Sequence, residues 1–147
     1  MSDGSVVPEP VPEGHPQIRF LAFDDLEEFV GEPPGFDGVQ LNRKVFDRGS
    51  AGTPHLIAEV ITFKPDFVHH MHRHPNAEQV MVPLQGSVTM LDEARTPREL
   101  GVGETMVVPR LRWHEVRNES GADCVVLNLF SGLGDISELG FEAYPRD

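Results

Sequence analysis

The chain of 147 residues holds a single cysteine, Cys124, so no internal disulfide can form and a fold stapled by bridges is excluded. Basic residues are scarce: 12 Lys and Arg stand against 24 Asp and Glu, a net charge of −12. Such a surface repels phosphate backbones and anionic headgroups, which argues against nucleic acid and membrane as partners. No apolar run is long enough to cross a bilayer. The N-terminus, MSDGSVVPEP, has neither the basic start nor the apolar stretch of a signal peptide. Tyr144, the one tyrosine, lies near the end of the chain, so no tyrosine acid or base is evident in the central segments. These absences together predict a cytoplasmic protein.

What is present has an ordinary globular balance, with 39% hydrophobic and 24% charged residues at a length that suits one domain. Residues 1–17 carry Pro8, Pro10, Pro12 and Pro16 among acids and small residues, which predicts a flexible tail ahead of a single domain over 18–147. Ile18–Phe23 reads as a short strand. The stretch DDLEEF (24–29), with its leading Asp and further acids, predicts a short N-terminal helix. Short β-branched and apolar segments then follow one another: Val39–Phe46, His55–Phe63, Val68–Arg73, Gln79–Leu84, Ser87–Leu91, Glu104–Val108, His114–Arg117 and Cys124–Phe130. Turn-forming residues lie between most of them, the mark of an all-β antiparallel sandwich or barrel. LQGS (84–87) predicts a tight hairpin, GLGDISELG one helical turn, and Pro83 a sheet edge or bulge.

One segment stands out chemically. HHMHRH (69–74) contains four of the chain's seven histidines. Strict alternation along a strand sends His70, His72 and His74 to one face and His69, Met71 and Arg73 to the other. Imidazoles that line a barrel interior are costly unless satisfied, and a metal ion satisfies them well. Gln79 opens the next strand, and GETMVVPRLRWHEVRN brings His114 after a strand and a turn. Trp113, Met81, Met90, Met106 and Cys124 read as packing residues, whereas Asn128 and Phe130 share a face that can reach the interior.

PDFVHHMHRHPNAEQVMVPLQG and GETMVVPRLRWHEVRN together resemble the two sequence motifs of the cupin superfamily. In the first, the six-residue spacing counted back from Gly86 lands on Gln79, and counting forward from Asp66 with five residues between lands on His72. In the second, Gly103, Pro109, His114 and Asn118 fall into register. The resemblance implies an antiparallel double-stranded β-helix, the jelly-roll cupin barrel. It also implies a divalent transition metal (Fe, Mn, Ni, Co, Cu or Zn) held by His72, His74, Gln79 and His114. The pair His70 and His72 is the alternative, less well spaced from Gln79 and Gly86. Three departures stand out. Asp66 replaces the first family glycine, Leu111 replaces the glycine after Pro109 so that a different turn is expected, and Gln79 replaces the usual glutamate. Neutral ligands leave the metal charge uncompensated and favour an anionic partner.

Candidate catalytic residues are His70, as proton acceptor or ligand orienter, Glu78, as a carboxylate beside the ligands, and Arg112, as a fork for a substrate carboxylate. The expected function is a metal-dependent enzyme acting on a small, oxygen-bearing molecule, anionic or neutral. Dioxygenase chemistry stands first, with isomerase, lyase and cyclase chemistry beside it. The alternatives are a non-catalytic module binding a sugar or metabolite, and an auxiliary protein acting with a partner. Family precedent also implies a homodimer that pairs through Ile18–Phe23.

Overall fold

The computed structural model describes residues 4–145; the first three residues of the expected tail and the last two of the expected domain lie outside them. The strands are β1 (Glu28–Gly31), β2 (Phe36–Asp37), β3 (Gln40–Phe46), β4 (Leu56–Phe63), β5 (Val68–Arg73), β6 (Glu78–Gln85), β7 (Ser87–Asp92), β8 (Pro97–Gly101), β9 (Met106–Val108), β10 (His114–Arg117), β11 (Cys124–Ser131) and β12 (Glu142–Ala143). They form two antiparallel sheets. One runs β1-β3-β4-β11-β6-β9, and the other runs β12-β5-β10-β7-β8 with β2 also paired to β5. This is the expected all-β double-stranded β-helix.

Among the described residues helix is nearly absent. The expected N-terminal helix is only a 3-10 turn at Phe23–Asp25, and the chain is back in a strand by Glu28. Ala22 stands at the N-cap and makes no side-chain capping bond, while Asp24, the expected cap, lies inside the turn with Asp25. Ile18–Phe23 pairs with no strand, and Ile18 and Phe20 are exposed. A single α-turn, Arg48–Ala51, was not evident beforehand; it is closed by a reciprocal capping box between Asp47 and Ser50. The helical turn expected near the C-terminus is the 3-10 segment Ile136–Glu138. Among the described residues no helix is long and apolar enough to cross a membrane.

Two turns behave in instructive ways. Leu84–Ser87 is not a hairpin, because β6 and β7 belong to different sheets; the segment is the corner where the chain crosses between them. Gly86 sits there at φ 73°, and a Cβ on it would lie 2.7 Å from the Asp123 carbonyl oxygen, so both backbone shape and space demand glycine. Pro83 does sit at a bulge: Val125 and Val126 of β11 face Gln85 and Pro83 of β6.

Alternation on β4 and β11 builds the interior. Ile61, Phe63, Phe67, Met81, Val88, Met90, Leu100, Val116, Cys124 and Val126 form one buried cluster between the sheets. Phe67 is fully buried and stacks on Phe63 at 4.9 Å between centroids, which plugs that end of the barrel. Each such aromatic contributes roughly 1.5–3 kcal/mol through burial. Asn118, also fully buried, ties the loop after β10: its Nδ2 donates to the Phe63 and Ala122 carbonyls, and its Oδ1 accepts from Ser120. Plugging one end leaves the open space of the barrel toward the other, where the histidines lie.

Candidate metal centre

The histidine strand departs from strict alternation. His114 and Val116 of β10 lie opposite His72 and His69 of β5, so three residues of β5 span what two of β10 span. The extra residue is a β-bulge, and it reverses the parity of the strand. His69 therefore turns inward, with its ring stacked on His72 at 3.8 Å between centroids. His70, expected inward, turns outward, where its Nε2 meets Asp37 Oδ2 at 2.5 Å. It faces a cleft on the outer side of the sheet with Arg95, Glu115 and Arg117.

His72, His74 and His114 come together: their ligating nitrogens lie within 4.8 Å of one another, and all three residues are buried. Each holds its Nδ1 against a backbone carbonyl, His72 to His70 at 2.6 Å, His74 to Gly140 at 3.3 Å and His114 to Arg112 at 3.0 Å. An Nδ1–H donated to a carbonyl leaves Nε2 as the free lone pair, the tautomer a metal ligand needs. Burial pushes the basicity of all of them down, His114 to about 4, with His72 and His74 also lowered. They are therefore neutral near pH 7.

Gln79, inward on β6, donates its Nε2–H to Asn128 Oδ1 at 2.8 Å, while its Oε1 is buried with no partner. His114 Nε2 is likewise buried without a partner. An orphaned acceptor oxygen and an orphaned imidazole nitrogen on residues that line one cavity fit a cation, which supplies both missing partners. The residues present thus fit a metal ion with three nitrogen donors and one amide oxygen.

The centre opens on a cavity of about 310 Å³. Its walls combine Phe29, Ile61, Phe63, Met81 and Phe130 with a polar strip of Gln40, Asn42, Glu59, Gln79 and Asn128. Burial drives the Glu59 carboxyl up to about 7, against a hydrogen bond from Asn128 that pulls it down. Glu59 was missed in the sequence, although it alternates in β4 with Ile57, Ile61 and Phe63, which are buried. His69 was also missed as an interior residue. Its Nε2 bonds the Pro34 carbonyl at 3.0 Å, and burial holds its ring down to about 3.

The remaining candidates lie elsewhere. Glu78 precedes the inward Gln79 on β6, so alternation turns it to the exposed outer face, away from the imidazoles. Arg112 is exposed at the rim of a separate hollow that includes Asp92, Trp113 and His114. Trp113 packs, edge-on to Tyr144 at 4.9 Å and under the Arg73 guanidinium at 4.4 Å. The turn after Pro109 does not change to suit Leu111: Leu111 itself adopts φ 71°, the left-handed conformation a glycine would take, and its N–H donates to the His74 carbonyl at 3.1 Å. Asp66, at the other substituted glycine, has φ 69°.

Residues 59–130 match the family model of the cupin domain. No curated protein matches the chain. Among solved structures, the polyketide cyclase RemF from Streptomyces resistomycificus superposes with a TM-score of 0.76 at 18% identity, over 89% of this chain and 88% of that one. A predicted oxalate decarboxylase from Thermotoga maritima gives 0.70 at 12% identity, over 78% of this chain and 100% of its own. A sugar phosphate isomerase from Silicibacter pomeroyi gives 0.67 at 15% identity, over 85% and 92% respectively. Identities this low speak for the fold, and with the motif residues carried by β5, β6 and β10 and a matching domain model, the chain belongs to the cupin superfamily.

Proposed function

We propose that the protein is a metal-dependent enzyme that moves protons on a small oxygen-bearing molecule with an apolar body, in chemistry of the isomerase, lyase or cyclase kind. The observation that carries this reading is the convergence of three Nδ1-anchored imidazoles, two of which share a mostly apolar cavity with the unpartnered oxygen of Gln79. His72, His74, His114 and Gln79 would hold a divalent ion, whose chemistry there is Lewis acidity toward a substrate oxygen, undiminished by any anionic ligand. Phe29, Ile61, Phe63 and Phe130 exclude water and receive the apolar part of the substrate. Glu59 is placed to take or give a proton within the cavity, because its carboxyl changes charge near neutral pH. Its neighbours in the same cavity include the imidazoles of His69, His72 and His114 and the rim carboxyl of Glu32. His70 and Glu78, facing out, have no part in this proposal.

That cyclase, decarboxylase and isomerase occur among the structural neighbours is consistent with proton-transfer chemistry, and oxygen-dependent chemistry is the competing outcome. A cytoplasmic homodimer completes the proposal. The test is elemental analysis of the purified protein, followed by incubation with a panel of carbonyl and enediol compounds with and without dioxygen. Metal at about one equivalent and turnover in the absence of dioxygen is expected. Turnover only with dioxygen points to a dioxygenase, binding without turnover points to a non-catalytic module, and protein that takes up no metal overturns the reading.

A further inference from the structure

A glutamine side chain is nearly symmetric in shape and wholly asymmetric in chemistry. Rotated by half a turn about its last bond, Gln79 would present N–H donors to the imidazole nitrogens, and an N–H cannot ligate a cation. Something must choose the end. The bonds around it run in one direction: Gln79 Nε2–H donates to Asn128 Oδ1 at 2.8 Å. That occupies the Asn128 oxygen and leaves its Nδ2–H for Glu59, which lies directly opposite Asn128 in the register of β11 on β4 and lines the same cavity. From the other side, Gln40 Nε2–H donates to Asn42 Oδ1 at 2.8 Å, and Asn42 Nδ2–H donates to Glu59 Oε2 at 3.4 Å. Both chains of amides end on the same carboxyl.

We propose that Glu59 is a positioning residue: acting through Asn128, it fixes the Gln79 amide with its oxygen toward His72, His74 and His114. In its ionised form the Glu59 carboxylate only accepts, and it can then be met only by the nitrogen of Asn128. The oxygen of Asn128 is then turned to Gln79, which must answer with its own nitrogen. The Oε1 of Gln79 is left buried and unpartnered, in the cavity that His72 and His114 also line. A glutamate ligand has two equivalent oxygens and needs no such device; a glutamine ligand does. The inference rests on the metal-centre reading and deepens it.

Room for the relay is built into the fold. Gly31, on β1, lies under Asn42: a Cβ there would meet Asn42 Oδ1 at 2.2 Å and Gln40 Nε2 at 3.0 Å. The glycine lets the outer amide pair sit close enough to reach Glu59.

The test is a double-mutant cycle read by Co2+ binding, using calorimetry and the visible absorption of the bound ion on metal-free protein. Glu59→Gln alone introduces an amide that can donate or accept, so Asn128 and Gln79 lose their fixed direction; Co2+ affinity falls about tenfold, as for other groups that orient metal ligands. In a Gln79→Glu background the sign reverses. There, carboxyls at 59 and 79 both demand the one Asn128 nitrogen, and adding Glu59→Gln removes the conflict, so Co2+ affinity rises. Simple loss of a negative charge near a cation would instead weaken binding in both backgrounds, and that result, or no change in either, overturns the relay. If Glu59→Gln alone does not fold, the comparison of Gln79→Glu with the double variant carries the same sign test. Wild-type protein that binds no Co2+ overturns the metal centre itself, whereas wild-type binding without a sign reversal overturns only the relay.

Discussion

The imidazole of His69 lies nearly flat on that of His72, with centroids 3.8 Å apart and planes inclined by 20°. Its Nε2 is held by the Pro34 carbonyl, so the ring is fixed at both ends of its contact. His69→Ala removes the face against which His72 rests and opens space beside a ligand. We expect metal affinity to fall by about tenfold, as when other groups that orient ligands are removed. His70→Ala, on the outer face, should leave metal uptake unchanged. Elemental analysis after dialysis against a competing chelator distinguishes the two.

Removing any one imidazole of the cluster should have a larger effect. His72→Ala, His74→Ala and His114→Ala each delete a nitrogen from a group whose ligating atoms lie within 4.8 Å. Stoichiometric metal uptake should be lost in all three. Their metal-free forms should remain folded, because burying neutral imidazole contributes little that alanine cannot replace, and circular dichroism tests this.

The buried titratable groups predict how metal-free stability varies with pH. His69 and His114 have folded-state values held down to about 3 and about 4, from 6.5, and His72 and His74 are lowered as well. Below pH 6.5 the unfolded chain binds protons that the folded chain refuses, so stability declines as pH falls from 6.5 toward 4. Glu59 has the opposite sign. Its value is raised from 4.5 to about 7, so its contribution is fully present below 4.5 and is lost as pH rises through 7. Glu59→Gln should therefore raise the melting temperature at pH 8 relative to wild type while changing it little at pH 4.5. Thermal unfolding in the presence of chelator across that range checks both slopes.

Left-handed backbone at Asp66 and Leu111, two of the three non-glycine residues that adopt it among the described residues, gives a stability prediction. Asp66 at φ 69° is exposed, so Asp66→Gly relieves strain without losing packing. The relief of about 1–2 kcal/mol is partly offset by roughly 0.5–1 kcal/mol of glycine entropy. A neutral to slightly higher melting temperature is expected. Leu111→Pro should do the reverse, because proline cannot reach φ 71° and lacks the N–H that holds the His74 carbonyl. Loss of metal uptake should accompany its destabilisation.

Cys124 is fully buried, and burial raises its thiol to about 11. It should be inert to a thiol reagent in the native protein and react with one equivalent in denaturant, as followed by mass spectrometry.

Much of this architecture is legible in the residues, and the illegible parts share a cause. Runs such as LIAEVITF and CVVLNLFS alternate around a buried face and bound their strands to within a residue or two. The missed strands are short or polar. Glu28–Gly31 follows a cluster of acids that mimics a helix start, and Pro97–Gly101 opens with proline and is paired on one side only, to β7. Within the site, His72, His74, Gln79 and His114 are picked out by the resemblance to the two family motifs, but the facing of His69 and His70 is not. A bulge is decided by the partner strand, here by how β10 registers on β5. Glu59 shares its alternation with three buried apolar residues, a visible signal, but only the pairing of β4 with β11 puts Asn128 beside it.

The single extra residue in β5 divides one histidine run between two environments. His69, His72 and His74 serve the interior, while His70 joins Asp37 on the outer surface, near Arg95, Glu115 and Arg117. The two surfaces are thereby coupled through a few bonds of backbone. Deleting one residue from this strand would restore plain alternation and exchange an inner ring for an outer one. The length of the segment, as much as its composition, is what the chemistry of the interior depends on.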